Sequence, residues 1–261
     1  MVSSDLQYAY LGGYRGLMSF DGFTIVFDTR DVGMLNSLLT KRYEPVVFKA
    51  LLQNLSPDDC FIDVGANVGM HALRLNRHLK PHGLMYCFEP NPGIFNILKT
   101  NIELNGGMHN VHLKQAAVYD SPGKVTFSHF EQQHRVGAIV LDGATNYGEN
   151  TYEVECVTLD SLKVGDRSVV LKIDVEGREG GVIAGGRTLI QEKAKFIVME
   201  YHRSVMQSTG TDVDRLFSDL SEWGFEPFIC GPSELQPCTF DELMKRDGHL
   251  NIALKKHKGV S

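Results

Sequence analysis

The run Phe61-Ile62-Asp63-Val64-Gly65-Ala66-Asn67-Val68-Gly69 reads as an apolar strand, a glycine turn and the start of a helix. Gly65 can take backbone angles closed to other residues, and its bare Cα lets a ligand approach the main chain. The N–H groups at the helix start favour a carboxylate or phosphate. Glu89 ends the next apolar run, in Phe88-Glu89-Pro90-Asn91. An acid roughly 20 residues beyond such a turn can accept hydrogen bonds from both hydroxyls of a ribose. Ala66-Asn67 follow Gly65, so the G-x-G-x-x-G fingerprint of a pyrophosphate cradle is absent. A nucleoside without a pyrophosphate, such as S-adenosylmethionine, therefore fits better than a nicotinamide dinucleotide. The competing reading is a generic α/β turn with a surface glutamate.

A second group lies further along. Val170, Lys172 and Asp174 alternate, so on a strand they share one face, and Glu176 follows at its carboxyl end. A lysine inside a sheet needs a partner, and Asp174 or another acid supplies one. Glu200 and His202 follow the apolar run 196–199 and point to the same rim. With a sulfonium cofactor the chemistry is direct displacement of an activated methyl by a nucleophile. The enzyme then supplies alignment and, for a hydroxyl, a base within hydrogen-bond reach. Asp174 and Glu176 are expected to organise the acceptor, with His202 or Glu200 as base. The alternative is Mg²⁺ on Asp174, Glu176 and Glu200, which would orient the hydroxyl and lower its pKa. Three carboxylates with other partners are preferred to that metal site. The competing role for Lys172 and Asp174 is an ion pair that fixes the loop.

These residues need a scaffold that brings strand ends together. Short apolar runs at Cys60–Val64, Leu84–Phe88, 111–118, 169–175 and 196–199 read as buried parallel strands. Val68, Ala72, Leu75 and Leu79 mark one helix between them, and Ile94, Ile97, Leu98 and Ile102 another. Asn91 is placed to cap the second helix, Pro92 lies in its first turn and Gly106 just past its end. Val213, Leu216, Phe217 and Leu220 predict a third helix, opened by Thr211 with Asp214 three residues on. Gly180-Gly181 make a poor start for a helix after the fourth strand. The alternation predicts an α/β fold with a Rossmann-like, mostly parallel sheet covered on both faces.

Residues 119–168 break the rhythm with strand-like pieces at 124–130, 136–141 and 152–159, an antiparallel excursion. Segments 226–229 and 250–254 read as a terminal antiparallel hairpin, interrupted by a short helix around 241–245. Residues 1–57 read as a lead-in with a strand pair near 22–27 and a helix near 43–55. No Pro/Gly/Ser-rich linker divides the chain. One domain over 1–261 is expected: an N-terminal cap at 1–57 and a core at 58–261 with the 119–168 insertion as a partial lid. Tyr43 and Glu44 could close over the cofactor, although a helix start is the simpler role.

The 261 residues carry 26 Lys and Arg against 32 Asp and Glu, a net charge of −6. No overall basic field is present to attract nucleic acid or an anionic membrane. The five cysteines, Cys60, Cys87, Cys156, Cys230 and Cys238, show no CxxC spacing. That usage fits reduced thiols and a cytoplasmic location. The first 30 residues lack the pattern of a signal peptide. No apolar run is long enough to span a bilayer. The exposed edges of the antiparallel excursion could pair across a homodimer.

Taken in order, several motifs resemble those of FkbM-type methyltransferases. They are the stretch from Asp63 to Gly69, Phe88-Glu89-Pro90-Asn91-Pro92, Asn101-Ile102-Glu103-Leu104-Asn105-Gly106, Thr158-Leu159-Asp160 and the stretch from Lys172 to Glu179. The resemblance covers about residues 58–200 and fades in 1–42, 120–150 and 230–249, where acceptor choice would be set. It implies the seven-stranded class I methyltransferase sheet and S-adenosylmethionine as cofactor. It also implies O-methylation of a sugar, glycolipid or secondary metabolite, so the partner is a small-molecule or glycan acceptor. Under it, Asp63, Gly65, Ala66 and Asn67 border the methionine moiety, and Glu89 holds the ribose. Gln115 and Ala116 lie near the adenine, and Gly69, Pro90, Asn91 and Asp174 complete the set. Ordinary strand packing is an equal account of Gln115 and Ala116. Three other functions compete. An NAD-dependent dehydrogenase lacks its cradle. An RNA ribose methyltransferase is matched only by Lys172 and Asp174. A non-catalytic module would keep the fold without turnover.

Overall fold

Two tight turns, Gly12-Gly13-Tyr14 and Asp21-Gly22, shape the N-terminal segment. The computed structural model describes residues 8–130, 133–140 and 150–257. Tyr8–Gly12 (β1), Arg15–Phe20 (β2) and Phe23–Asp28 (β3) form an antiparallel three-stranded sheet. Asp21 and Gly22 both have positive φ, 50° and 76°, the geometry of a tight hairpin turn between β2 and β3. The expected strand pair is thus a three-stranded meander. It is followed by a helix that the sequence reading missed, Val32–Leu39 (α1), whose N-cap Asp31 accepts from the Met34 amide. The one helix expected in this segment, near 43–55, is Pro45–Asn54 (α2).

The core then alternates. Cys60–Val64 (β4), Met70–Asn76 (α3), Leu84–Phe88 (β5), Pro92–Leu104 (α4) and Val111–Lys114 (β6) follow in order. α4 has the predicted cap, with the Asn91 side chain accepting from the Gly93 and Ile94 amides. α3 is shorter than its apolar spacing suggests, because Gly69 at φ 87° is its N-cap and Val68 lies in the turn.

The expected 111–118 strand breaks at Gln115-Ala116. Ala117–Val118 (β7) leaves for a second sheet and pairs with another strand there. That sheet contains Gly123–Phe130 (β8), Gln133–Val140 (β9) and Asn150–Val157 (β10) in the order β7-β10-β8-β9. β8 pairs antiparallel with both β10 and β9, as expected of the insertion. Residue 141, placed in the second piece, lies outside the described residues.

The chain returns through Val169–Ile173 (β11), Glu179–Ala184 (α5), Arg187–Lys193 (α6), Ala194–Tyr201 (β12), Arg203–Ser208 (α7) and Val213–Glu222 (α8). Asp212, not Thr211, caps α8, accepting from the Arg215 amide. The two glycines of α5 are packing residues. A Cβ on Gly181 would lie 1.8 Å from the Tyr119 ring, and one on Gly180 would lie 2.4 Å from Thr211. Phe225–Cys230 (β13), Leu235–Pro237 (β14), Phe240–Met244 (α9) and Leu250–Lys256 (β15) end the fold. β13 and β15 form the predicted antiparallel hairpin with its intervening helix.

The main sheet has eight strands, ordered β14-β13-β15-β12-β11-β4-β5-β6. The expected seven are joined by β14, whose Pro237 is tolerated because the strand is an edge. The five strands from β6 to β12 run parallel. β4, β5, β11 and β12 are buried on both faces, which is why they read as continuous apolar runs. Ile62, Val64 and Leu171 pack with α5, α6 and α8 residues on one side. Phe61 and Val170 pack with α2, α3, α4 and the N-terminal sheet on the other.

Asn101 on α4 and Asn105, its C-cap one turn on, tie that N-terminal sheet to the core. Asn101 donates to the Val26 and Val68 carbonyls and accepts from the Val26 amide. Asn105 exchanges the same pair of bonds with Thr24. All five cysteines are free thiols. Among the described residues no helix is long and apolar enough to cross a membrane.

Candidate active site

A cavity of about 490 Å³ opens at the carboxyl ends of β4, β5, β11 and β12. This is where open α/β sheets bind ligands. One wall is the glycine turn. Gly65 stands at φ 82°, and a Cβ on it would lie 2.0 Å from the Asp174 carbonyl oxygen. Only glycine permits that approach of two strand ends. The Gly65 and Ala66 amides donate to the Phe88 carbonyl. Asn67 follows in the left-handed region at φ 50°.

Glu89 faces this turn. One carboxylate oxygen accepts from the Asn67 amide at 3.1 Å and the other from the Asn91 amide at 2.9 Å. The residue is buried, and burial pushes its carboxyl up to about 7 against those two amide bonds.

Beneath the cavity floor lies a buried charge cluster. The Lys172 ammonium sits 3.1 Å from Asp174 and 3.8 Å from Asp63, its neighbour across the β11–β4 pairing. Burial pulls the lysine down, but Asp174, Asp63 and Glu44 outweigh it and hold the ammonium well above its usual range. Burial raises the Asp63 carboxyl, opposed by Lys172 and His71. Neither Asp63 oxygen has a hydrogen-bond partner among the described residues. The sequence reading of a paired lysine therefore holds in geometry.

The turn after β11 forms the next wall. Glu176 and Gly177 both have positive φ, 55° and 90°. Glu179, fully buried, accepts from the Val175 and Gly177 amides and so holds the turn. Its carboxyl is pushed up to about 7 by burial. Arg178 is buried and donates to the Ile139 and Thr209 carbonyls, fastening β9 of the insertion against the core. Phe127, Ala138 and Ile139 from the insertion line the cavity beneath that strap.

Glu200, at the end of β12, is pushed up to about 9 by burial and by Asp174, Glu176 and Glu179. His249, just before β15, places Nδ1 2.7 Å from its Oε1.

Of the residues singled out from sequence, Gly65, Asn67, Glu89, Pro90, Asn91, Ala116, Asp174, Glu176 and Glu200 line the cavity. Asp63 and Lys172 sit under it, and Ala66 and Gly69 shape the turn. Gln115 is exposed and outside the lining. His202 is half-exposed at the start of α7, 3.6 Å from Asp247, and also outside it. Glu44 is the N-cap of α2, lines the cavity and meets His71 at 2.7 Å.

Among the described residues no three His, Cys, Asp or Glu side chains converge as a metal site. Sequence reasoning missed His249, Asn251 and Arg178. The pairing of β15 with β12, which sets Asn251 opposite Glu200, is the signal that would have found the first two.

The described lining carries five carboxyl groups, from Glu44, Glu89, Asp174, Glu176 and Glu200, of which burial raises Glu89 and Glu200, against the single guanidinium of Arg178. Such a cavity attracts a cation. A nucleoside bearing a sulfonium and an ammonium fits this donor set.

The model of the methyltransferase FkbM domain matches residues 63–227. The hexuronic acid methyltransferase AglP of Haloferax volcanii is 27% identical over 202 residues, covering 76% of this chain and 77% of that protein. The 2-O-methyltransferase NoeI of Sinorhizobium fredii is 28% identical over 160 residues, covering 56% and 64%. Among solved structures, an S-adenosylmethionine-dependent O-methyltransferase from Thermotoga maritima aligns at TM-score 0.43 and 14% identity, over 94% of this chain and 79% of that one.

Proposed function

The chain belongs to the FkbM methyltransferase domain family, and we propose that it transfers a methyl group from S-adenosylmethionine to a hydroxyl of a sugar or glycan. The observation that carries this reading is the placement of Glu89, the Gly65 turn and an acid-rich wall around one cavity at the strand ends. When bound, the cofactor supplies an electrophilic methyl carbon on a cationic sulfur. Glu89, already set by two backbone amides, accepts from the ribose hydroxyls with its remaining lone pairs. The Gly65–Asn67 turn backs the amino-acid end, and the Asp63–Lys172–Asp174 cluster fixes the floor. Ala116 and Val118 offer an apolar wall for the base.

Acceptor oxygen and methyl carbon must meet in line, so the residues here act mainly by alignment. Asp174 and Glu176, at the rim, accept hydrogen bonds from acceptor hydroxyls. Phe127 and Ile139 from the insertion exclude water. The names of the relatives, a hexuronic acid methyltransferase and a 2-O-methyltransferase, support a sugar hydroxyl as acceptor.

The test is incubation with S-adenosylmethionine and a panel of p-nitrophenyl hexosides and hexuronides, read by mass spectrometry. A product heavier by one methylene, with S-adenosylhomocysteine formed in equal amount, is expected. Binding of the cofactor without methylation of any sugar would contradict the acceptor assignment.

A further inference from the structure

We infer that His249 is the catalytic base that takes the acceptor's proton, with Glu200 as its positioning residue. This inference rests on the methyltransferase reading above. Two neighbouring strands of the main sheet bring the pair together. Glu200 lies in the last residues of β12, and His249 directly precedes the antiparallel β15. The register sets Asn251 opposite Glu200 and Leu250 opposite Tyr201, so the chain entering β15 lies over the carboxyl end of β12. Both residues line the cavity.

The geometry divides the labour. Glu200 is 14% exposed, and its Oε1 is engaged by the imidazole Nδ1 at 2.7 Å. His249 is 64% exposed and lines the cavity, so its ring is accessible to an acceptor there. Once Glu200 is ionised, its carboxylate on Nδ1 selects the tautomer with the proton there and leaves Nε2 as acceptor. The groups that face Glu200 are Lys172 on β11, Asp174 and Glu176 after it, and Glu179 on α5. Three carboxylates against one ammonium disfavour charge on a bare Glu200, and a donor on the imidazole Nδ1 offsets this. The step balances as follows. The acceptor oxygen forms the new C–O bond while the C–S bond breaks, and its electron pair goes to sulfur. The hydroxyl proton passes to Nε2 of His249, and Glu200 stabilises the resulting imidazolium. His202, the histidine singled out from sequence, lies outside the lining and does not have this geometry.

The test compares wild type, His249→Ala and Glu200→Gln with S-adenosylmethionine and the p-nitrophenyl glycoside panel. His249→Ala should lower kcat about 10²-fold or more. Its KM for the cofactor should stay within about threefold of wild type, and added imidazole should restore part of the rate. Glu200→Gln should lower kcat less, and ¹⁵N NMR should show His249 losing its uniform Nδ1–H tautomer. Turnover of His249→Ala within threefold of wild type, or a tautomer unchanged in Glu200→Gln, overturns the inference. Calorimetry with S-adenosylhomocysteine keeps the two readings apart. Wild-type protein that binds neither cofactor nor product overturns the methyltransferase reading and the inference together. Intact binding with an unaffected variant overturns the inference alone. If the cofactor binds but no glycoside is methylated, the sugar reading fails and the tautomer measurement decides the pair.

Discussion

The Glu89 carboxylate accepts the backbone amide of Asn67 at 3.1 Å, joining the end of β5 to the glycine turn after β4 across 22 positions of sequence. The acid expected to hold a ribose thus also holds the wall against which the rest of the cofactor would lie. Both jobs need a carboxyl group with its oxygens in place, and burial makes its ionisation depend on what occupies the cavity.

Gly65→Ala should damage the fold as well as the site. The new Cβ would meet the Asp174 carbonyl at 2.0 Å, at a φ of 82°. Neither strand end can retreat without losing its sheet pairing. Overpacking and left-handed strain together should cost about 2–5 kcal/mol. Urea unfolding followed by circular dichroism measures it, and a loss under 1 kcal/mol would show that the turn is softer than described.

Lys172→Met should destabilise by about 3–5 kcal/mol, because it leaves Asp63 and Asp174 without their buried cation. Adding Asp63→Asn should restore part of the loss, since it removes one of the stranded charges. A double variant no more stable than Lys172→Met would show that Asp63 and Lys172 are not energetically coupled.

Stability of the ligand-free protein should fall as pH rises. Glu89 and Glu179 are pushed up to about 7 and Glu200 to about 9, all above the ordinary 4.5. A raised carboxyl binds its proton more tightly when folded. Its stabilisation is complete below about 4.5 and is lost as pH climbs through those folded values. Thermal melts should show Tm dropping from pH 5 to 9, by about 2–4 °C for each kcal/mol lost at this size. Glu200→Gln should flatten the upper part of that decline. A Tm that rises across the same range would contradict the assignment.

Much of this was legible because both chemistry and fold reside in the same short runs. The apolar strands, the Asn91 cap and the cavity-lining residues from Gly65 to Asn91 follow from local pattern. What escaped depended on contacts remote in sequence. The N-terminal sheet is fastened by Asn101 and Asn105 to Val26 and Thr24, 75 and 81 positions away. Those asparagines read as part of a motif whose structural purpose is visible only in three dimensions. Gly180 and Gly181 contradicted helix propensity because Thr211 and Tyr119 occupy the space of their side chains. His249 was hidden among ten histidines. Its meaning comes from the strand register that brings it to Glu200.

The central claim is that the acid-walled cavity binds S-adenosylmethionine through Glu89. Calorimetric titration of the purified protein with S-adenosylmethionine and S-adenosylhomocysteine tests it most directly. The account predicts saturable binding of both. Near neutral pH the cationic form should release protons from the raised carboxyls, visible as a dependence of the heat on buffer ionisation. Glu89→Gln, which keeps a side-chain oxygen for the Asn67 amide, should weaken both ligands about tenfold or more while the fold persists. Absence of binding to wild-type protein whose circular dichroism shows an intact fold would contradict the account.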